Sequence, residues 1–106
     1  MKPLLLGYQQ VRVDAPRDAV AGGRQLLAIF AAREGFALGE VFVERDVNRP
    51  CSALVALIEA ARRCGATAVA VPTSEDLGRL PRVRHLMQRR LEREAGVRVL
   101  IVGKRA

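Results

Sequence analysis

The run Ala68-Val69-Ala70-Val71 constrains the fold of this chain more than any other segment. It is continuous, apolar and built from small or β-branched residues, so it suits a strand covered on both faces. A central strand of a parallel sheet meets that requirement best. Pro72 ends it, and on either side strand-like stretches alternate with helical ones. Leu4 to Val13 is apolar or alternating and predicts a first strand, followed by a loop broken at Pro16. From Arg17 to Glu34 the residues Val20, Leu27, Phe30 and Ala31 share one helical face, and Gly35 closes the helix. Val41-Phe42-Val43 predicts a short second strand that runs into a charged loop, Glu44 to Arg49. Pro50 is placed to open a second helix with Leu54, Leu57, Ile58 and Ala61 as its buried stripe and Gly65 as its stop.

A polar loop, Thr73 to Arg79, leads to a third helix from about Pro81 to Ala95, with Val83, Met87 and Leu91 inward and Gly96 as the stop. Val97 to Val102 completes the pattern as a fourth strand. The alternation predicts an α/β fold in three layers with a mainly parallel four-stranded sheet, in the order β-α-β-α-β-α-β. With 106 residues, half of them hydrophobic, the chain has the size of one domain with one core.

Composition narrows the function classes. No apolar run is long enough to span a bilayer, and the Met1 to Leu6 start passes into a polar turn rather than a cleavage site, so a cytoplasmic protein with no membrane partner is expected. Cys51 and Cys64 form no close pair and the single histidine, His85, is distant from both, so neither a metal site nor a cofactor is expected. The cysteines read as small buried or helix-terminal residues, and His85 as a surface residue of the third helix. The net charge is +7, and sixteen of the eighteen basic residues are arginine, Lys2 and Lys104 being the exceptions. Guanidinium groups suit bidentate phosphate recognition, which admits DNA or RNA as a partner. An Ala-, Arg- and Val-rich composition also follows from GC-rich coding, and net charge alone defines no site.

Gly7-Tyr8-Gln9-Gln10-Val11-Arg12 resembles the end of the first strand in the serine recombinases (resolvases and invertases), whose pattern there is Gly-Tyr-x-Arg-Val-Ser. Further segments follow in the family's order. Arg24-Gln25-Leu26-Leu27 and Arg33-Glu34-Gly35-Phe36 resemble its first helix and the exit from it. Val41-Phe42-Val43-Glu44 resembles its second strand, Asn48-Arg49-Pro50 the loop before its second helix, and Asp76-Leu77-Gly78-Arg79 the end of its Asp-Arg-Leu-Gly-Arg loop. The resemblance implies a three-layer resolvase-like fold across residues 1–106. It also implies a set of active-site positions: Gln10, Arg12, Arg49, Glu75, Asp76 and Arg79.

At those positions the chain departs from the family's chemistry. Arg12 aligns with the nucleophilic serine, Gln10 with one active-site arginine, and Asp76 with another, while Arg49 and Arg79 match the family and Glu75 aligns with an aspartate. Cleaving a phosphodiester needs a hydroxyl nucleophile and cations that stabilise the phosphate oxygens. Arginine stays protonated and cannot serve as that nucleophile. Rescue by Ser52 or Ser74 is not expected, because Ser74 adjoins two carboxylates that repel phosphate. Glu75 and Asp76 read as solvated residues at a helix entry rather than as an acid–base pair. The resembled proteins also continue beyond the fourth strand into a long dimerisation helix and a DNA-binding domain, whereas this sequence ends at Gly103-Lys104-Arg105-Ala106. A single domain lacking both is the expectation.

The resulting expectation is a catalytically inactive, serine-recombinase-like module that acts by binding or regulation, through a protein partner or self-association, and is not an enzyme. Leu26 and Ile29 lie off the buried stripe of the first helix and are candidates for a partner-facing patch. An alternative is a non-specific nucleic-acid-binding protein. Its surface would combine Arg49 and Arg79 with Arg82, Arg89 and Arg93, which recur at seven- and four-residue spacing along the third helix. The bland reading of that row is a solvated face partly paired with Glu92 and Glu94. A further alternative is a recombinase or nuclease of altered chemistry.

Overall fold

The computed structural model describes residues 1–45 and 52–103. The elements are β1 (Leu4–Gln10), α1 (Ala19–Glu34), β2 (Ala37–Glu44), α2 (Ser52–Cys64), β3 (Ala68–Val71), α3 (Pro81–Ala95) and β4 (Arg98–Ile101), with a single 3₁₀ turn over Ser74–Leu77 between β3 and α3. The four strands form one parallel sheet in the order β2-β1-β3-β4. The alternation predicted from sequence is therefore the observed one, and β3 is internal and fully buried.

Alternating residues of β1 supply the two faces of the sheet. Leu5 packs with Leu27 and Ala31 of α1 and with Ala68 and Ala70 of β3. Leu6 and Tyr8 point to the other face, into the larger core formed with Leu54, Leu57 and Ile58 of α2 and Leu91 of α3. Leu27, Leu54, Leu57 and Leu91 are all at 0% exposure, and each such burial contributes about 1.5–3 kcal/mol. Gly7 lets α1 lie close to the sheet, since a Cβ there would come within 2.7 Å of Leu27 Cδ1 and 2.9 Å of Val41 Cγ2. The helices stop where expected, at Gly35, Gly65 and Gly96, whose positive φ values disfavour other residues.

Several boundaries differ from the sequence reading. The first strand ends at Gln10 rather than Val13. The Val11 N–H still bonds to the Glu44 carbonyl at 2.8 Å, but the Ala15 N–H then bonds to the Arg12 carbonyl and turns the chain away. Val13 is consequently exposed. The second strand is longer than expected because β2 follows the edge of β1 from Ala37, and an edge strand needs no apolar alternation. Glu44 belongs to this strand and is buried rather than part of a charged loop. Its Oε1 accepts the Ala53 N–H at 2.9 Å and its Oε2 accepts the Ser52 hydroxyl at 3.4 Å, so it satisfies donors at the start of α2. The expected Pro50 helix start and Cys51 lie outside the described residues. Val83 is 40% exposed rather than inward, because it sits in the first turn of α3 against Gly78, at the rim of the core.

Candidate functional site

The strand order creates a natural crevice. From β1 the chain crosses to α1 on one face, whereas from β3 it crosses to α3 on the other, so the two loops diverge beyond the carboxyl ends of adjacent parallel strands. Open α/β sheets bind ligands at this switch of direction. A cavity of about 140 Å³ lies here, lined by Gln10, Val11, Arg12, Thr73, Glu75, Asp76 and Arg79. A second hollow of about 310 Å³ shares Gln10, Arg12 and Asp76 and extends towards Ala19 and Gly23 of α1.

Five of the six residues singled out from sequence thus line one cleft: Gln10, Arg12, Glu75, Asp76 and Arg79. Arg49 lies outside the described residues. Arg82, Arg89 and Arg93 are absent from the lining and are exposed on α3.

Asp76 organises the floor of the cleft. One carboxylate oxygen accepts the Gln10 N–H at 2.9 Å, and the other accepts the Thr73 N–H at 3.0 Å and the Thr73 hydroxyl at 3.1 Å. These bonds tie the end of β1 to the loop after β3. The expectation of two solvated residues at a helix entry fails for one of them: Asp76 is only 9% exposed, while Glu75 is exposed. The 3₁₀ turn places Asp76 inward because its acceptors meet donors that the turn would otherwise leave unpaired. Burial raises its pKa above the ordinary 3.8, reinforced by the Glu75 charge, and the three hydrogen bonds oppose the rise.

The other side chains are held less tightly. Arg12 Nε lies 3.2 Å from Asp14 Oδ1 in an exposed pair worth little energetically. Gln10 Nε2 donates to the Tyr8 hydroxyl at 3.3 Å, so its amide is drawn back along the strand. The Arg79 loop is clamped from α3: Arg84 donates to the Gly78 carbonyl at 2.8 Å and to the Arg79 carbonyl at 3.0 Å.

Sequence reasoning missed two contributors. Thr73 supplies a hydroxyl to the cleft, and its spacing of three residues ahead of Asp76 is a helix-start signal that could have revealed it. Arg84 clamps the loop but carries no local signature. Ser74 does not line the cleft, and Ser52 is engaged by Glu44. Elsewhere, Leu26 and Ile29 are 44% and 47% exposed, as their helical positions suggested, and border a hollow with Phe30, Arg33 and Val102. Cys64 is a free, exposed thiol at the end of α2, and His85 is exposed. No helix among the described residues is long and apolar enough to cross a membrane.

No family model matches the sequence, and no curated protein matches it. Solved structures do. The chain is similar to the C-terminal catalytic domain of ISC1926 TnpA, an IS607-like serine recombinase, with a TM-score of 0.76 and 15% identity over 97% of this chain and 71% of the other. It is also similar to the N-terminal catalytic domain of TP901-1 integrase, with a TM-score of 0.73 and 14% identity over 93% of this chain and 76% of the other. The fold is that of serine recombinase catalytic domains.

Proposed function

We propose that this chain is a binding or regulatory domain built on the serine recombinase fold and without strand-cleaving chemistry. The observation that carries this reading is Asp76, a buried carboxylate held by three hydrogen bonds at a position where the resembled pattern has an arginine. A cleft that stabilises a pentacoordinate phosphate needs converging cations. Here Asp76 and Glu75 oppose Arg12 and Arg79 across the same cavity. Arg12 aligns with the nucleophile and has no hydroxyl to offer. The hydroxyl that does line the cleft, on Thr73, points at the Asp76 carboxylate within a tight turn, where an incoming phosphate meets negative charge.

Incubation with supercoiled plasmid tests the proposal. The expected result is no nicked or relaxed product, either with the native chain or with Thr73→Val. Nicking by the native chain that disappears in Thr73→Val would overturn it.

A second reading, phosphate binding without cutting, is supported by Arg82, Arg89 and Arg93, which are exposed and whose guanidinium groups form no hydrogen bond or ion pair with another described residue. It requires duplex affinity that falls steeply with added salt, because phosphate contacts release counterions.

A further inference from the structure

The start of α3 carries three exposed aliphatic residues: Leu80, which immediately precedes the helix, at 64%, Val83 at 40% and Leu86 at 61%. They recur every third residue and so run as one row. A second row, Arg82, Leu86, Arg89 and Arg93, has spacings of four, three and four and shares Leu86 with the first. The acidic residues of this helix are engaged apart from the row: Glu92 accepts from Gln88, and Glu94 pairs with Arg90. The result is a row in which Leu86 is interleaved with three guanidinium groups, adjoining Leu80 and Val83, and none of the three forms an ion pair with a described residue.

From this interleaving we infer that the outer face of α3 is a docking surface for an acidic amphipathic segment of a partner protein, one with aliphatic residues on one side and carboxylates flanking them. Charge complementarity selects an anionic partner, since arginine pairs bidentately with carboxylate and loses little freedom in doing so. The aliphatic row selects a peptide. Phosphate contacts gain nothing from Leu80, Val83 and Leu86, and the rings that could stack bases are elsewhere: Tyr8 in β1, Phe30 in α1, Phe42 in β2, and Phe36 between α1 and β2. A lipid surface needs an apolar face separate from the charges so that it can be immersed. Here the aliphatic row is only three residues long, and Leu86 lies within the arginine row, so there is no extended apolar face to immerse. Docking deepens the binding-module reading and rests on it only in taking association as the domain's mode of action.

Fluorescence anisotropy with a labelled synthetic helical peptide, leucines along one face and glutamates beside them, tests this surface. Duplex DNA and anionic phosphatidylserine vesicles serve as parallel probes. The native chain should bind the peptide. Leu86→Ser should weaken binding about tenfold or more, since burying a leucine side chain is worth at least that factor, while leaving any duplex binding unchanged. Arg89→Glu should abolish peptide binding, and a peptide in which only the glutamate facing position 89 is replaced by lysine should restore it. Thermal melts of both variants should match the native chain, because both side chains are exposed. Peptide affinity indifferent to both substitutions would overturn the inference, as would stronger binding to duplex or vesicles than to the peptide. Strand cleavage in the plasmid assay would refute the silent-cleft reading yet leave these binding outcomes standing, so the two failures are distinguishable.

Discussion

Replacing Asp76 with alanine removes three hydrogen bonds at once and separates the end of β1 from the loop after β3. Bonds to a charged acceptor are worth about 1.5–3 kcal/mol each. The gross loss is offset in two ways. The native carboxylate is desolvated by burial, which the upward displacement of its pKa records, and the cleft opens to solvent, so water can reach the freed Thr73 donors. A net destabilisation of about 2–3 kcal/mol follows, corresponding to a fall in Tm of roughly 10–20 °C for a domain of this size. Asp76→Asn should lose about half as much, keeping one acceptor while turning an amide donor towards donors. The pH dependence has a definite sign. With its folded pKa above the ordinary 3.8, the folded chain binds more protons than the unfolded one just above that value. The stabilising contribution of this carboxyl is therefore fully present below 3.8 and is lost as pH rises through the folded pKa. Asp76→Asn should lack that decline. Urea denaturation of the three proteins across the acidic range measures both effects. An alanine variant within about 0.5 kcal/mol of native, or a native stability that rises with pH relative to the asparagine variant, would refute the account of the cleft floor.

Other consequences can be checked by the same denaturation assay or by direct binding. Glu44→Ala should cost about 1–3 kcal/mol, because it leaves the Ala53 N–H and the Ser52 hydroxyl without their acceptor. Leu27→Ala should cost about 3–5 kcal/mol, since this side chain is completely buried between α1 and the sheet. Arg84→Ala should leave the sheet intact but accelerate amide hydrogen exchange in the loop after β3, because the Gly78 and Arg79 carbonyls lose their clamp. Unchanged exchange there would show that the clamp is dispensable.

The parts of the fold legible in the sequence were those with a strong local signal. The unbroken apolar run of β3 marked a strand buried on both faces, and the apolar stripes of α1 and α2 with their glycine stops marked helices. Edge strand β2 is longer than its local signal, because Ala37, Gly39 and Glu40 are exposed and Gly39-Glu40 interrupts any alternation. Periodicity also identifies which residues share a face without identifying what covers that face. Val83 shares a face with Met87 and Leu91 by spacing, yet it is 40% exposed and lies over Gly78 at the mouth of the preceding turn. The aligned motifs singled out Gln10, Arg12, Glu75, Asp76 and Arg79, and these five line one cleft. The burial of Asp76 was not legible, because it depends in part on one donor from β1, the Gln10 N–H, 66 residues away in sequence.

The most direct test of the central claim is intact-protein mass spectrometry after incubation with duplex DNA carrying a phosphodiester nick, followed by denaturation. A silent cleft predicts a single species at the unmodified mass of 11.6 kDa, with no change in either DNA strand. A denaturation-resistant adduct between the protein and a DNA end, mapped to Thr73 or to any other residue of the cleft, would contradict it.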